Sequence, residues 1–259
     1  MIPLGGPVAA QGPVIPDFGE GSDCVVENRL FCPDWVRDNW SGTLQPALLE
    51  HVKLTIIAVA IGFVISFGAA LLTHRLRLFE KPLVVFAAIV YTIPSLALFQ
   101  LLVPITGLTT ATVEVALVGY TLLILYRNIL EGLRNVPPDV LEAARGMGMT
   151  DRQVITRVEL PLALPLIFAG IRTAIVAVAG GGGLGDIIVN QAGYGLEGVV
   201  GAAICVSVLA LAADGAVGLL QRAVTPAGLR VESRAFEADV TTGVSRRSRP
   251  MSKVDEQPG

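Results

Sequence analysis

Residues 52–73 read VKLTIIAVAIGFVISFGAALLT, an apolar run with one charge, Lys53, near its start. A helix needs about 20 predominantly apolar residues to cross the hydrocarbon core of a bilayer. The run meets that length and lacks the period-two alternation of a membrane barrel strand. Its Ala, Gly and Ser content is that of helices that pack closely in lipid. The stretch therefore predicts a membrane-spanning helix.

Four further segments have the same character: 82–103, 112–130, 162–180 and 199–220. The whole chain agrees, with 259 residues, 53% hydrophobic, only 16% charged, and a mean hydropathy of +0.65. A soluble α/β domain with buried strands does not need apolar runs of this length. The fold class expected is an all-α integral membrane protein with five transmembrane helices over residues 51–222. Residues 1–50 form an external tail with Gly, Pro and scattered charge, and a helix from Pro33 to His51 is expected to lie along the membrane. MIPLGGPVAAQGPVIP has neither the basic start nor the apolar centre of a secretory signal. Residues 223–259 are polar, charged and short of aromatics, the composition of a disordered tail.

The basic residues set an orientation. Arg75, Arg77 and Lys81 lie between the first and second spans, and Arg127, Arg134, Arg145, Arg152 and Arg157 around the loop between the third and fourth. Arg222, Arg230, Arg234, Arg246, Arg247, Arg249 and Lys253 follow the fifth. PITGLTTA (104–111) and the glycine-rich segment around Leu184 carry none. The positive-inside rule places the first three regions in the cytoplasm, the last two outside, the N-terminus outside and the C-terminus inside. Cys24 and Cys32 then lie in an external tail, where a disulfide and two free thiols are both open readings. Cys205, within the fifth span, reads as a small packing residue.

Signs of catalysis or metal binding are thin, and no catalytic or metal-ligating set emerges. His51 and His74 stand near the ends of the first span, away from any second cluster of ligand-type residues. A nucleotide-hydrolysing G-x-x-x-x-G-K-[ST] loop is absent from the sequence. GGGGLG (180–185) satisfies G-x-G-x-x-G in form, but it follows a membrane helix rather than a strand, so a close-packed or re-entrant turn is the better reading. Asn39-Trp40-Ser41 is a glycosylation sequon in form only. Ionisable residues inside spans are costly and mark either a polar path or a pairing across helices. Arg172, Asp214 and Glu114 are of this kind, Glu114 close to the outer end of its span. Read as isolated from one another, they argue against an intramembrane enzyme, which needs paired groups at one depth. YTIPSLA (91–97) adds a kink, since Pro94 interrupts the helical ladder and the hydroxyls of Thr92 and Ser95 can satisfy freed carbonyls. Thr92, Pro94, Ser95, Arg172 and Asp214 are thus candidates for a pathway or gate.

Between the third and fourth spans lies EAARGMGMTDRQVITRVELP (142–161). Asp139 is positioned to cap a short helix through Glu142, Ala143 and Ala144. Gly146 and Gly148 permit a sharp turn. Thr150 or Asp151 starts a second short helix through Val154 and Val158 to Leu160, and Pro161 opens the fourth span. Ala143 and Ala144 leave one face with little side-chain bulk, which suits docking into another protein's groove better than catalysis.

The spacing of Glu142-Ala143-Ala144, Gly148, Val158 and Leu160-Pro161 resembles the signature loop of binding-protein-dependent ABC importer permeases, with valine in the usual isoleucine place. The resemblance implies a type I, MetI-like permease core of five helices, with 139–161 as its coupling loop. It implies a cytoplasmic ATPase partner, which alone would hold ATP and Mg, so the chain itself would bind no cofactor and be no enzyme. It further implies a second permease subunit, the same or homologous, an extracytoplasmic solute-binding protein, a bacterial cytoplasmic membrane location and no nucleic-acid partner. RNILEGLRNVPPDVLEAARGMGMT, VELPLALPLIFAGIRTA and TIPSLALFQLLVP are similar to the osmoprotectant branch, which imports glycine betaine, choline, carnitine or proline-type solutes. Methionine-importer permeases share the layout and are the alternative. Between Arg172 and Gly183-Leu184-Gly185-Asp186 the chain is shorter than that branch usually is. A channel or sensor subunit is the rival from another class, and it would need no ATPase dock.

Overall fold

The computed structural model describes residues 31–178 and 181–225. Every element among the described residues is helical. In chain order the α-helices are α1 (Pro33–Asp38), α2 (Gln45–Arg75), α3 (Glu80–Thr92), α4 (Ser95–Thr106), α5 (Thr110–Arg134), α6 (Pro138–Gly146), α7 (Asp151–Val154), α8 (Leu160–Ala177), α9 (Leu184–Val189) and α10 (Gln191–Val224). Among the described residues, four helical stretches are long and apolar enough to cross a membrane, and α3 with α4 make a fifth span if the bent pair counts as one. The all-helical membrane fold follows from residues such as those of 52–73, whose backbone polar groups only a helix can satisfy within one segment.

Three element boundaries depart from the sequence reading. In place of one helix over Pro33–His51, α1 is a single short helix, and a π-helical turn at Trp40–Leu44 leads directly into α2. Lacking a breaker after Pro46, the chain continues the helix of the first span backwards. The second span is two half-helices bent by 101°. Ile93 precedes proline and is extended (φ −68°, ψ 128°), as clash with the proline ring demands. The third departure is that no separate second helix precedes the fourth span. A π-helical turn at Ile155–Glu159 carries α7 continuously into α8. That wider turn spreads the backbone where Pro161 would otherwise crowd the preceding carbonyls.

The chain divides into two compact units. The larger comprises residues 54–178 and 209–225 of the described chain. Its centre is α5, half of whose apolar window is buried. Leu125, Tyr126, Ile129, Leu130 and Leu133 of α5 pack with Ala70, Ala163, Ile167 and Ala174. Small residues let the backbones approach: Gly132 lies against Ala163, Gly170 against Asn128, and Gly62 against Thr121. This is how helices associate in lipid, where packing replaces the hydrophobic drive. The outward faces stay apolar, as at Val64, Ile105 and Leu211.

The smaller unit comprises residues 31–53 and 181–208 of the described chain. Leu44, Leu184, Ile187 and Ala202 form its core, flanked by Trp35 and Val36. The glycine-rich segment is a close-packed turn: Gly183 has φ +54°, and a Cβ there would stand 2.5 Å from the carbonyl oxygen of Ala47. His51 Nδ1 meets the Gly182 carbonyl at 3.2 Å. Only glycine fits such a backbone and such an approach. In α10, Gly195 (φ 68°, ψ 178°) interrupts the helical path near its start. Cys32 is buried in this unit, and Cys24 of the suggested bridge lies outside the described residues.

Candidate coupling loop and broken span

The loop between α5 and α8 is built from its local chemistry. Pro137 occupies the N-cap of α6 and Pro138 its first turn, where a missing N–H costs nothing. Asp139 is therefore not the cap. It sits inside the first turn, where its charge complements the helix dipole. After Gly146 the chain reverses: Met147 N–H donates to Ala143 O at 3.0 Å and Met149 N–H to Ala144 O at 3.2 Å. Gly148 takes φ +80°, a conformation that would strain any side chain. Thr150 then caps α7, and its own N–H donates to Gln153 Oε1 at 2.8 Å in a reciprocal capping box.

The two alanines do not share a face. Glu142 and Ala143 are exposed, whereas Ala144 is 2% exposed and packs inward. A smooth contact surface here therefore consists of Ala143 with Gly146 and Gly148, and Ala144 is a packing residue. Val158, Leu160 and Pro161 are half-buried along the continuous helix that leaves the loop.

Two polar links that the sequence does not reveal brace this end of the bundle, the first of them at the loop's exit. His74 Nε2, at the end of α2, lies 3.0 Å from Oε2 of Glu159, whose side chain is only 5% exposed. Beside it, Tyr126 donates to Thr73 Oγ1 at 3.0 Å, and Thr73 donates to Ala69 O at 2.8 Å. Arg134, the last residue of α5, grips Glu80 through both guanidinium nitrogens, at 2.9 and 2.8 Å. Bidentate geometry of this kind holds orientation as well as charge.

Within the spans, Arg172 and Asp214 are not isolated. Arg172 Nε is 3.5 Å from Asp214 Oδ1, joining α8 to α10. Gly218, one turn beyond Asp214, makes room for the guanidinium, since a Cβ there would stand 2.5 Å from Arg172 Nη2. The pair is half-exposed on this chain. An ion pair at membrane depth belongs against other protein or water, not lipid.

The broken span gathers Thr92, Pro94 and Ser95 at its elbow. Thr92 donates to Ala88 O at 2.7 Å, backing the last turn of α3. Tyr120 of α5 donates its hydroxyl to the Ile93 carbonyl and sets its ring edgewise to Tyr91, with centroids 5.8 Å apart and planes at 64°. Gly119 admits this approach, because a Cβ there would stand 2.9 Å from Val90 Cγ1. The pairing of Tyr91 with Tyr120 is not legible in the sequence, because it depends on how α3 meets α5.

The smaller unit adds one perturbed carboxyl outside the spans. Asp186 is exposed as a residue, yet partial desolvation of its carboxyl pushes it above the ordinary carboxylate value; nearby Glu50 reinforces this, while a backbone hydrogen bond from Gly183 and the field of His51 oppose it.

Comparison with known proteins places these features. Residues 58–226 match the family described as "binding-protein-dependent transport system inner membrane component". The glycine betaine/carnitine/choline transport system permease protein OpuCB of Bacillus subtilis is 35% identical over 191 residues, 70% of this chain and 88% of that protein. The osmoprotectant import permease protein OsmW of Salmonella typhimurium is 35% identical over 211 residues, 76% and 98% of the respective chains. Carnitine transport permease protein OpuCB of Listeria monocytogenes is 34% identical over 191 residues, 70% of this chain and 88% of that protein. Among solved structures, a chain of the MetNI methionine ABC transporter superposes with a TM-score of 0.63 over 73% of this chain and 99% of its own, at 22% identity. That likeness is one of fold.

Proposed function

The chain belongs to the binding-protein-dependent transport system inner membrane components, and from that premise we propose that it is the permease of an ATP-driven importer of glycine betaine, choline, carnitine or a similar small solute. The observation that carries this reading is the extent of the likeness to curated permeases named for those solutes, 70 to 76% of this chain. The methionine transporter resembles it at 22% identity, which speaks for the fold alone.

In this reading a cytoplasmic ATPase docks on the loop through Glu142, Ala143 and Gly148. Ala144, Val158, Leu160 and Pro161 hold the loop to the bundle. ATP and Mg reside on that partner, so the free energy enters through the loop and not through chemistry in this chain. Counting α3 and α4 as one span gives five crossings, with the N-terminus outside and the C-terminus in the cytoplasm. A second permease subunit completes the pathway, and an extracytoplasmic binding protein delivers the solute. Thr92, Pro94, Ser95, Arg172 and Asp214 belong to the moving pathway, which opens alternately to the two sides. Uptake of radiolabelled betaine, choline and methionine by a deletion strain carrying this chain with its ATPase and binding protein tests the assignment. Uptake of methionine alone overturns the solute class, and undiminished uptake without the ATPase overturns the mechanism.

A further inference from the structure

We propose that the elbow between α3 and α4 is a binding site for the quaternary ammonium head of the transported solute, built from the ring of Tyr91 and the terminal carbonyls of α3. The proposal rests on the importer reading above and adds a ligand site to the permease itself.

Depth comes first. Tyr120 stands ten residues into the 25-residue α5, which at 1.5 Å per residue is about 15 Å from that helix's start. The elbow packed against it is therefore well inside the bilayer. Non-helical backbone at that depth is tolerated only where protein buries it or where it lines a water-filled cavity. Tyr91, Thr92, Pro94 and Ser95 are all exposed on this chain, so the chain's own helices do not bury them.

The chemistry of the elbow is selective. Pro94 supplies no N–H to the carbonyl of Val90, and the last turn of any helix leaves carbonyls without intrahelical donors. The elbow thus offers the remaining carbonyls of the last turn of α3, the Thr92 and Ser95 hydroxyls and the Tyr91 ring, flanked by the exposed side chains of Ile89 and Leu96. Tyr91 is 42% exposed. Tyr120 holds it from one side and anchors the Ile93 carbonyl, so the ring is pre-positioned. Such a surface suits a bulky cation that has no N–H to satisfy and a weak hydration shell to shed. A ring face attracts that cation by its quadrupole.

The test uses the permease–ATPase complex in nanodiscs without binding protein, titrated with tetramethylammonium by saturation-transfer NMR. The uncharged isostere of choline, 3,3-dimethyl-1-butanol, serves as the control. Saturable binding of tetramethylammonium but not of the isostere is expected, retained in Tyr91→Phe and weakened about tenfold in Tyr91→Leu, the scale of one desolvated cation–π contact. Equal binding of cation and isostere, or absence of saturable cation binding, overturns the site; these readouts use the unmodified protein and do not depend on a variant folding. Unchanged affinity in Tyr91→Leu, or equal loss in Tyr91→Phe, also overturns it. In parallel, the same unmodified complex is reconstituted in proteoliposomes with the binding protein outside and ATP inside, and betaine uptake is measured. If uptake proceeds while cation binding ignores Tyr91, the site falls and the importer reading stands. Should no quaternary ammonium solute be taken up, the importer reading falls as well.

Discussion

The carboxylate of Glu159 stands 3.0 Å from Nε2 of His74, tying the helix that leaves the loop to the end of the first long helix. Tyr126 and Thr73, hydrogen-bonded at 3.0 Å, brace the same corner from α5. The helix leaving the loop is thus joined to α2, and α2 to α5, by polar contacts at one corner of the bundle.

Removing His74 should expose how much that corner carries. His74→Leu leaves a buried carboxylate without its partner, a loss of about 1–3 kcal/mol. The detergent-solubilised permease is expected to melt at lower temperature, and solute-stimulated ATP hydrolysis in the complex to fall. The double variant His74→Leu with Glu159→Met removes both polar groups. It should regain most of the stability without regaining the stimulation. Thermal unfolding and ATPase assays on the same preparations separate the two effects.

The alanines of the loop should behave as opposites. Ala143→Arg changes an exposed position, so the chain should accumulate in the membrane at normal levels yet fail to co-purify with the ATPase. Ala144→Arg forces a charge into a buried site and should lower the amount of folded permease itself. Gly148→Val places a β-branched residue at φ +80°, a strain of about 1–2 kcal/mol. It should weaken ATPase association while leaving membrane insertion intact.

The contrast shows what was legible beforehand. Runs such as 52–73 announce helices by length and composition, and the spacing from Glu142 to Pro161 announces the loop. The burial of Ala144, the 101° elbow at Ile93 and the unbroken helix through Glu159 do not follow from those signals. Each depends on a local backbone choice that only neighbouring helices decide. The pairings of Arg172 with Asp214 and His74 with Glu159 join distant segments, so no sequence periodicity registers them.

Arg172 and Asp214 should prove energetically coupled. Replacing either one alone leaves an uncompensated charge at membrane depth, whereas Arg172→Leu with Asp214→Leu removes both. The double variant should accumulate better than either single one, measured by fluorescence-detected size exclusion. Gly218→Leu fills the space beside the guanidinium and should mimic the loss of Arg172 without altering any charge.

Acidity should act on Asp186 with a definite sign. Its folded value lies above the ordinary 3.8, so the protonated form is favoured by folding. That contribution is fully present below about 3.8 and is lost as pH rises through the raised folded value. Asp186→Asn should therefore unfold at higher temperature than the native protein at neutral pH, and the two should converge in acid. Melting curves at pH 3.5 and 7, values chosen to bracket the ordinary carboxylate range, check this.

The importer function is put to trial by uptake into proteoliposomes holding this permease with its ATPase, supplied with the binding protein outside and ATP inside. Radiolabelled glycine betaine or choline is expected to accumulate, to require both ATP and the binding protein, and to be excluded in Ala143→Arg. Equal uptake without ATP, or ATP-driven uptake of methionine with none of the quaternary ammonium solutes, would contradict it.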